Sequence, residues 1–203
     1  MIKRIIHICL GTLVLAAGAW ITIPAKGDIP ITLQTFAMLI LIRCMMPLEC
    51  FGSVAVYIIL GLFGVPVFSR FTGGMQVLMG PSGGYILGFL LMIPVFSLIG
   101  GLWIKPKHEE FEDLSRVFNI MTIGVRIFLG MLLAVCACYL AGTIWYAKVY
   151  FNGEEALTLR EAAKYTVKPF IIPEIIKLIA GYFISRFLYF WGNAIKYAFD
   201  REE

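Results

Sequence analysis

Charge is scarce in this sequence. Only 15% of its 203 residues are Asp, Glu, Lys or Arg, and 60% are hydrophobic, whereas soluble domains run at about a quarter charged and about half apolar. With a mean hydropathy of +0.87, the composition points to a chain whose solvent is the lipid bilayer, with no soluble domain appended. No G-x-x-x-x-G-K-[ST] phosphate loop is present, so the chain cannot by itself couple ATP hydrolysis to transport. No Ser/His/Asp or Cys/His constellation is in evidence, which argues against an enzyme. The two histidines, His7 and His108, belong to no ligand cluster, so neither a metal nor another cofactor is expected. The five cysteines (Cys9, Cys44, Cys50, Cys136 and Cys138) are odd in number and lack metal spacing. They read as small hydrophobes in helices and leave the redox compartment open. The net charge of +4 comes without a dense Lys/Arg run, so no nucleic acid partner is expected.

What is there is a series of apolar runs. A helix needs about 20 apolar residues to cross the hydrocarbon core. Six candidate spans follow: Ile5–Ile23, Ile31–Met46, Phe51–Phe68, Gly84–Ile104, Ile120–Tyr146 and Pro169–Trp191. They are expected to form one transmembrane domain over residues 1–203, all-α in class. The first span opens like a secretory signal, with Ala17-Gly18-Ala19 as a possible cleavage site, but the run continues unbroken through Trp20-Ile21-Thr22-Ile23 and is expected to be retained. Charged residues fill Lys105–Arg116, and a polar connection runs from Lys148 to Lys168. An even number of spans puts both termini on one side. With the N-terminus inside, the cytoplasmic segments hold Lys3, Arg4, Arg43, Lys105, Lys107, Arg116, Arg186, Lys196 and Arg201; the outer segments hold Lys26, Arg70, Lys148, Arg160, Lys164 and Lys168. Nine against six favours cytoplasmic N- and C-termini in the cell membrane. Arg126 is expected to snorkel.

Under this topology the three least regular segments share the outer face. They are Ile29-Pro30-Ile31-Thr32-Leu33-Gln34-Thr35, the stretch from Phe68 through Gly73-Gly74 to Gly80-Pro81-Ser82-Gly83-Gly84-Tyr85, and Lys168-Pro169-Phe170-Ile171-Ile172-Pro173-Glu174-Ile175-Ile176-Lys177. Irregular backbone at membrane depth persists only when buried in protein or lining a cavity, so their convergence predicts an outward-facing ligand pocket, although turn-rich loops would also account for each alone. Glu174 and Lys177, three residues apart, project from one helical face. Charges inside a membrane usually face a cavity or a partner. Either the two neutralise each other, or the carboxylate accepts ligand N–H groups while the ammonium meets a ligand carboxylate. Gly80, Gly84 and Gly88 make a small-residue stripe that lets a helix approach closely. Gly11, Ala16 and Ala19 give the first span a small-sided surface, for packing inside or against a partner.

These segments resemble the BioY-type biotin-binding S components of energy-coupling-factor (ECF) transporters. The matching pieces are Ile29–Phe36, Tyr57–Phe68, Gly73-Gly74, Gly80–Phe89 and Pro173–Lys177, with Leu60–Phe89 the most specific. The resemblance implies a six-helix S-component bundle that binds biotin from outside and docks on a transmembrane coupling subunit driven by two cytoplasmic ATPases. It implies that Thr72–Met79, with Gly73, Gly74 and Gln76, closes over the vitamin, and that Glu174 and Lys177 contact it, joined by Tyr85 and Gln34. Two departures stand out. The family's acidic position is usually Asp, here Glu174, and Arg43–Glu49 lacks the expected glycine-and-basic turn. A different small vitamin, a membrane-embedded enzyme using Glu174 as acid or base, and a purely structural subunit are the competing readings. Biotin suits the pocket chemistry: two ureido N–H donors, an apolar ring system and a terminal carboxylate.

Overall fold

Helix dominates wherever the sequence is apolar and free of turn residues. The computed structural model describes residues 2–24, 29–100, 113–150 and 157–199. Six longer helices run through it: α1 (Ile2–Trp20), α2 (Gln34–Cys44), α3 (Pro47–Leu62), α5 (Gly83–Gly100), α6 (Asp113–Trp145) and α8 (Ile171–Phe199). Two short ones, α4 (Met75–Met79) and α7 (Leu159–Thr166), sit in the connections. The strands β1 (Thr22–Ile23) and β2 (Ile31–Thr32) pair antiparallel, Thr22 opposite Thr32.

Several expected boundaries move, for local reasons. The first span was expected to reach Ile23, but α1 stops at Trp20. The β-branched run Ile21-Thr22-Ile23 before Pro24 prefers extended backbone, and the Thr22 hydroxyl caps the helix by donating to the Ala19 carbonyl at 2.6 Å. The second span is shorter than expected: α2 has 11 residues, about 16 Å at 1.5 Å per residue. The third begins at Pro47 rather than Phe51, because proline is well placed in a first helical turn. The fourth ends within the described residues at Gly100; positions 101–112, including most of the charged stretch Lys105–Arg116, lie outside them. The polar connection after Tyr146 is not uniformly irregular. A π-turn covers Tyr146–Tyr150, and α7 opens on a capping box in which Thr158 and Glu161 satisfy each other's backbone N–H. The Thr158 hydroxyl and N–H on the Glu161 carboxylate hold that carboxyl below its ordinary value.

Small residues decide which helices meet. On α5, a Cβ added to Gly88 would lie 3.1 Å from the Cys138 sulfur of α6, and Gly84 faces Trp145 and Ala141. The expected glycine stripe therefore seats α5 on α6, while Gly80 serves differently, its carbonyl accepting from Trp145 Nε1 at 3.0 Å. The small face of α1 packs inside: Gly11 lies against Ser53 of α3, and Gly18 against Leu33 and Ala37. Gly181 of α8 lets Leu39 of α2 approach. In a membrane such close contacts supply the van der Waals packing that the hydrophobic effect supplies in water.

The outside of the bundle is apolar. Met121, Val125, Leu129, Leu133 and Leu140 make an exposed stripe along α6, and Ile172, Ile175, Ile176, Ile179 and Phe183 do so along α8. On α8 the charges Glu174 and Lys177 point inward instead, the inverse of a water-soluble amphipathic helix. Three described helical stretches, Ile2–Trp20, Gly83–Gly100 and Met121–Val149, are each long and apolar enough to cross a bilayer. Arg126 is exposed.

At one end of the bundle, Gly61 organises the turn after α3. Phe68 is fully buried over it, edge-on to Tyr57 at 5.3 Å, and a Cβ on Gly61 would collide with the Phe68 ring. The Gly61 carbonyl also accepts from the Gly64 and Gly74 N–H groups at 3.0 and 2.6 Å. Gly61→Ala should therefore expel Phe68 and cost about 1–3 kcal/mol of stability. A thermal unfolding scan in detergent should show a clear fall in Tm, and an unchanged Tm would refute this role.

Candidate functional site

The three irregular segments meet at this end. Ile29, Pro30, Thr32, Gln34 and Thr35 approach from β2 and the start of α2. Ser69, Ser82, Tyr85, Ile86 and Phe89 come from the central loop and α5, Tyr139 from α6, and Phe170, Glu174 and Lys177 from the start of α8. Together they enclose a cavity of about 40 Å³. Local sequence explains the placement of the last group. Pro169 sits in a 3₁₀ turn, Lys168–Phe170, and Pro173 lies in the first turn of α8, where a missing N–H costs nothing. Prolines thus fix where α8 begins, and with it the depth of Glu174 and Lys177.

Both charged side chains are buried and in direct contact, Lys177 Nζ donating to Glu174 Oε1. Lys177 also donates to the Thr35 hydroxyl at 2.7 Å and to the Thr32 carbonyl at 3.0 Å. Thr35 in turn donates to Glu174 Oε1 at 2.9 Å. All three ammonium hydrogens are therefore engaged within the protein. The carboxylate is not saturated. Glu174 Oε2 is buried without a hydrogen-bond partner. The Tyr139 hydroxyl lies within side-chain hydrogen-bonding range of the Glu174 carboxylate, but no bond of standard geometry closes on Oε2. An orphaned buried acceptor is costly, and here it faces a cavity walled by Ile29, Ile86, Phe89 and Phe170. The arrangement suits a ligand with N–H donors on an otherwise apolar body.

The remaining expected residues divide into two groups. Gln34 and Tyr85 line the cavity, but their polar ends are already bonded. Gln34 Nε2 donates to the Tyr57 hydroxyl at 2.5 Å, and its Oε1 accepts from Thr32 at 3.0 Å. The Tyr85 hydroxyl donates to the Thr166 carbonyl at 2.6 Å, so the ring rather than the hydroxyl faces inward. Gly73, Gly74 and Gln76 lie outside this lining. Gly73 passes so close to the preceding turn that a Cβ would sit 2.5 Å from the Val65 carbonyl oxygen, and Gly74 holds a φ of 98° that favours glycine. Gln76 lines a second, more open chamber of about 240 Å³ with Pro30, Ser69, Arg70, Thr72 and Ser82. Thr35, Tyr139, Phe89 and Phe170 were not singled out from sequence. Thr35 and Phe170 nevertheless fall within the converging segments and Phe89 within the Gly80–Phe89 piece, whereas Tyr139 lies outside all of them, its only signal being a polar aromatic late in an apolar run.

A model of the BioY family matches residues 1–193. The chain belongs to the BioY family. Among BioY proteins, the biotin transporter BioY of Thermotoga maritima is 40% identical over 183 residues, 90% of this chain and 94% of that one. The probable biotin transporter BioY of Pyrococcus horikoshii is 30% identical over 184 residues, again 90% and 94%. The fold resembles a solved S-component for biotin from an ECF-type ABC transporter, with a TM-score of 0.71 at 22% identity over 92% of this chain and 90% of that one. This BioY chain is a membrane protein with an S-component fold.

Removing one member of a buried charge pair leaves the other uncompensated, at about 3–5 kcal/mol. Lys177→Met should therefore lower Tm in detergent sharply, and the double variant Glu174→Gln/Lys177→Met should recover most of the loss. If the single and double variants melt together, the pair carries no such coupling.

Proposed function

We propose that this chain is the substrate-capturing S component of an ECF-type importer, and that its substrate is biotin. The observation that carries the reading is Glu174 Oε2, a buried acceptor without a partner, facing an apolar cavity in a chain whose relatives are named biotin transporters. The ureido N–H groups of biotin supply the missing donors, and its fused rings suit the Phe89, Phe170 and Ile86 walls. Glu174 and Lys177 are the polar centre of the binding site. Tyr85 and Gln34 shape it through the bonds they make elsewhere, and Gly73, Gly74 and Gln76 belong to the segment that closes it.

Ligand pockets usually run to about 300–1,000 Å³, far above the inner cavity, so entry requires the 69–82 segment to move outward. Only Pro30, Ser69 and Ser82 are common to the inner cavity and outer chamber, and displacing them merges the two. The six longer helices span the cell membrane with both termini in the cytoplasm, and the cavity opens outside. Transport requires a coupling subunit and two ATPase subunits, since the chain has no phosphate loop of its own.

Purified protein titrated with radiolabelled biotin should bind it saturably, and Glu174→Ala should weaken binding about ten- to a hundred-fold, the loss of a hydrogen bond to a charged group. Failure to bind biotin, with saturable binding of a different vitamin, would redirect the assignment. Orientation is tested separately. In a cysteine-free background, a single Cys at Phe71 should react with an impermeant thiol reagent added outside, and one at Leu48 should not. The reverse pattern would place the cavity on the cytoplasmic face.

A further inference from the structure

The inner site leaves one part of an amphoteric ligand unmatched. It offers a buried acceptor in Glu174 Oε2 but no free cation, because Lys177, the one Lys or Arg in that lining, spends all three hydrogens on Thr32, Thr35 and Glu174. A carboxylate placed there would face an occupied ammonium and an orphaned oxygen of its own sign. A free cation lines the neighbouring chamber instead. Arg70 lines the outer chamber, and among the described residues it has neither an ion-pair nor a hydrogen-bond partner. Gln76, with an equally unengaged amide, lines the same chamber, and Ser69 and Ser82 form part of its border with the inner cavity.

The backbone at Arg70 is not that of an ordinary surface loop. Arg70 has φ 58° and ψ 30°, and Phe71 follows at φ 55°. Two consecutive non-glycine residues in the left-handed region carry a conformational cost that persists only where the surroundings impose it. Those surroundings are specific. Phe71 stacks on Trp20 with centroids 5.1 Å apart, Trp20 Nε1 donates to the Pro66 carbonyl at 2.9 Å, and Phe68 N–H donates to the Thr72 carbonyl at 2.9 Å. The turn is pinned from both sides, with Arg70 between the clamps.

We propose that the Arg70 chamber is the carboxylate subsite: biotin lies with its ureido N–H groups inward on Glu174 and its acid tail outward on the Arg70 guanidinium, assisted by Gln76. This rests on the biotin reading above and fixes the direction in which the vitamin lies. It also separates two roles that the sequence left joined on α8. Lys177 positions the Glu174 carboxylate, and Arg70 recognises the ligand's own carboxylate. Selection for a free acid over its esters and amides then resides in the outer chamber.

The test compares biotin with biotin amide, which lacks the anionic tail. Arg70→Gly removes the charge at a φ that glycine adopts without strain, so folding is not at risk. Wild-type protein should prefer biotin to the amide by roughly three- to ten-fold, the range for a partly exposed, charge-assisted contact, and the preference should shrink as salt rises. Arg70→Gly should abolish that preference by weakening biotin alone, and Arg70→Lys should retain most of it. Equal weakening of both ligands, or an unchanged preference in Arg70→Gly, would overturn the proposal. So would loss of the preference in Lys177→Ala with Arg70 intact. Wild-type protein that binds neither ligand would instead defeat the biotin reading itself.

Discussion

The end of the bundle that holds the cavity is arranged around two buried charges, Glu174 and Lys177. Unpaired, each would cost several kcal/mol to bury, so the fold must bring them together and surround them with polar groups. Lys177 and Glu174 lie one turn apart on α8, and the groups that complete their coordination, Thr32 and Thr35, come from the other side of the bundle. Satisfying the charges therefore ties the start of α8 to β2 and the start of α2. Gly181, further along α8, lets Leu39 come close enough for that tie to continue as helix packing. The shortfall left in this network is one carboxylate oxygen, Glu174 Oε2, and it is there that we propose the ligand binds.

Around this centre the cavity is made by chain segments that cannot be regular helix. The paired strands at Thr22–Ile23 and Ile31–Thr32 bring residues 29–35 across the end of the bundle. The turn after α3 folds back because Gly64 and Gly74 take positive φ and Gly73 lies against the preceding backbone. The short helix α7 closes a further side, where the Thr166 carbonyl receives the Tyr85 hydroxyl and its own hydroxyl meets Thr143 at 2.9 Å. A small cavity bounded by such loops, with a wider chamber beyond them, matches a protein that must first admit a ligand and then hold it away from water.

Much of this was legible in the sequence. Composition placed the chain in a bilayer, and the concentration of Gly, Pro and Thr in three segments pointed to their meeting, which the structure bears out in a single lining. The spacing of Glu174 and Lys177 put them on one face. Sequence could not say whether the pair would stand open or closed, because that depends on Thr32 and Thr35, more than a hundred residues away in the chain. Nor could it give the end of α1, where β-branched preference overrides an unbroken apolar run, or the helix inside the polar 148–168 connection, whose capping box at Thr158 and Glu161 is short and local. The family resemblance placed Gly73, Gly74 and Gln76 in a loop closing over the vitamin; their separate places in the turn and the outer chamber emerge only when the loop is folded. The unusual backbone of Arg70 had no sequence signature.

In the proposed binding mode Glu174 receives the ligand's N–H groups while Lys177 stays bound within the protein. A high-resolution structure of the protein with biotin bound tests it most directly. A ureido nitrogen should lie within about 3 Å of a Glu174 carboxylate oxygen, with Lys177 still bonded to Thr32 and Thr35 and the acid tail directed toward Arg70. Biotin found with its carboxylate against the Lys177 ammonium, or bound away from α8 altogether, would contradict it.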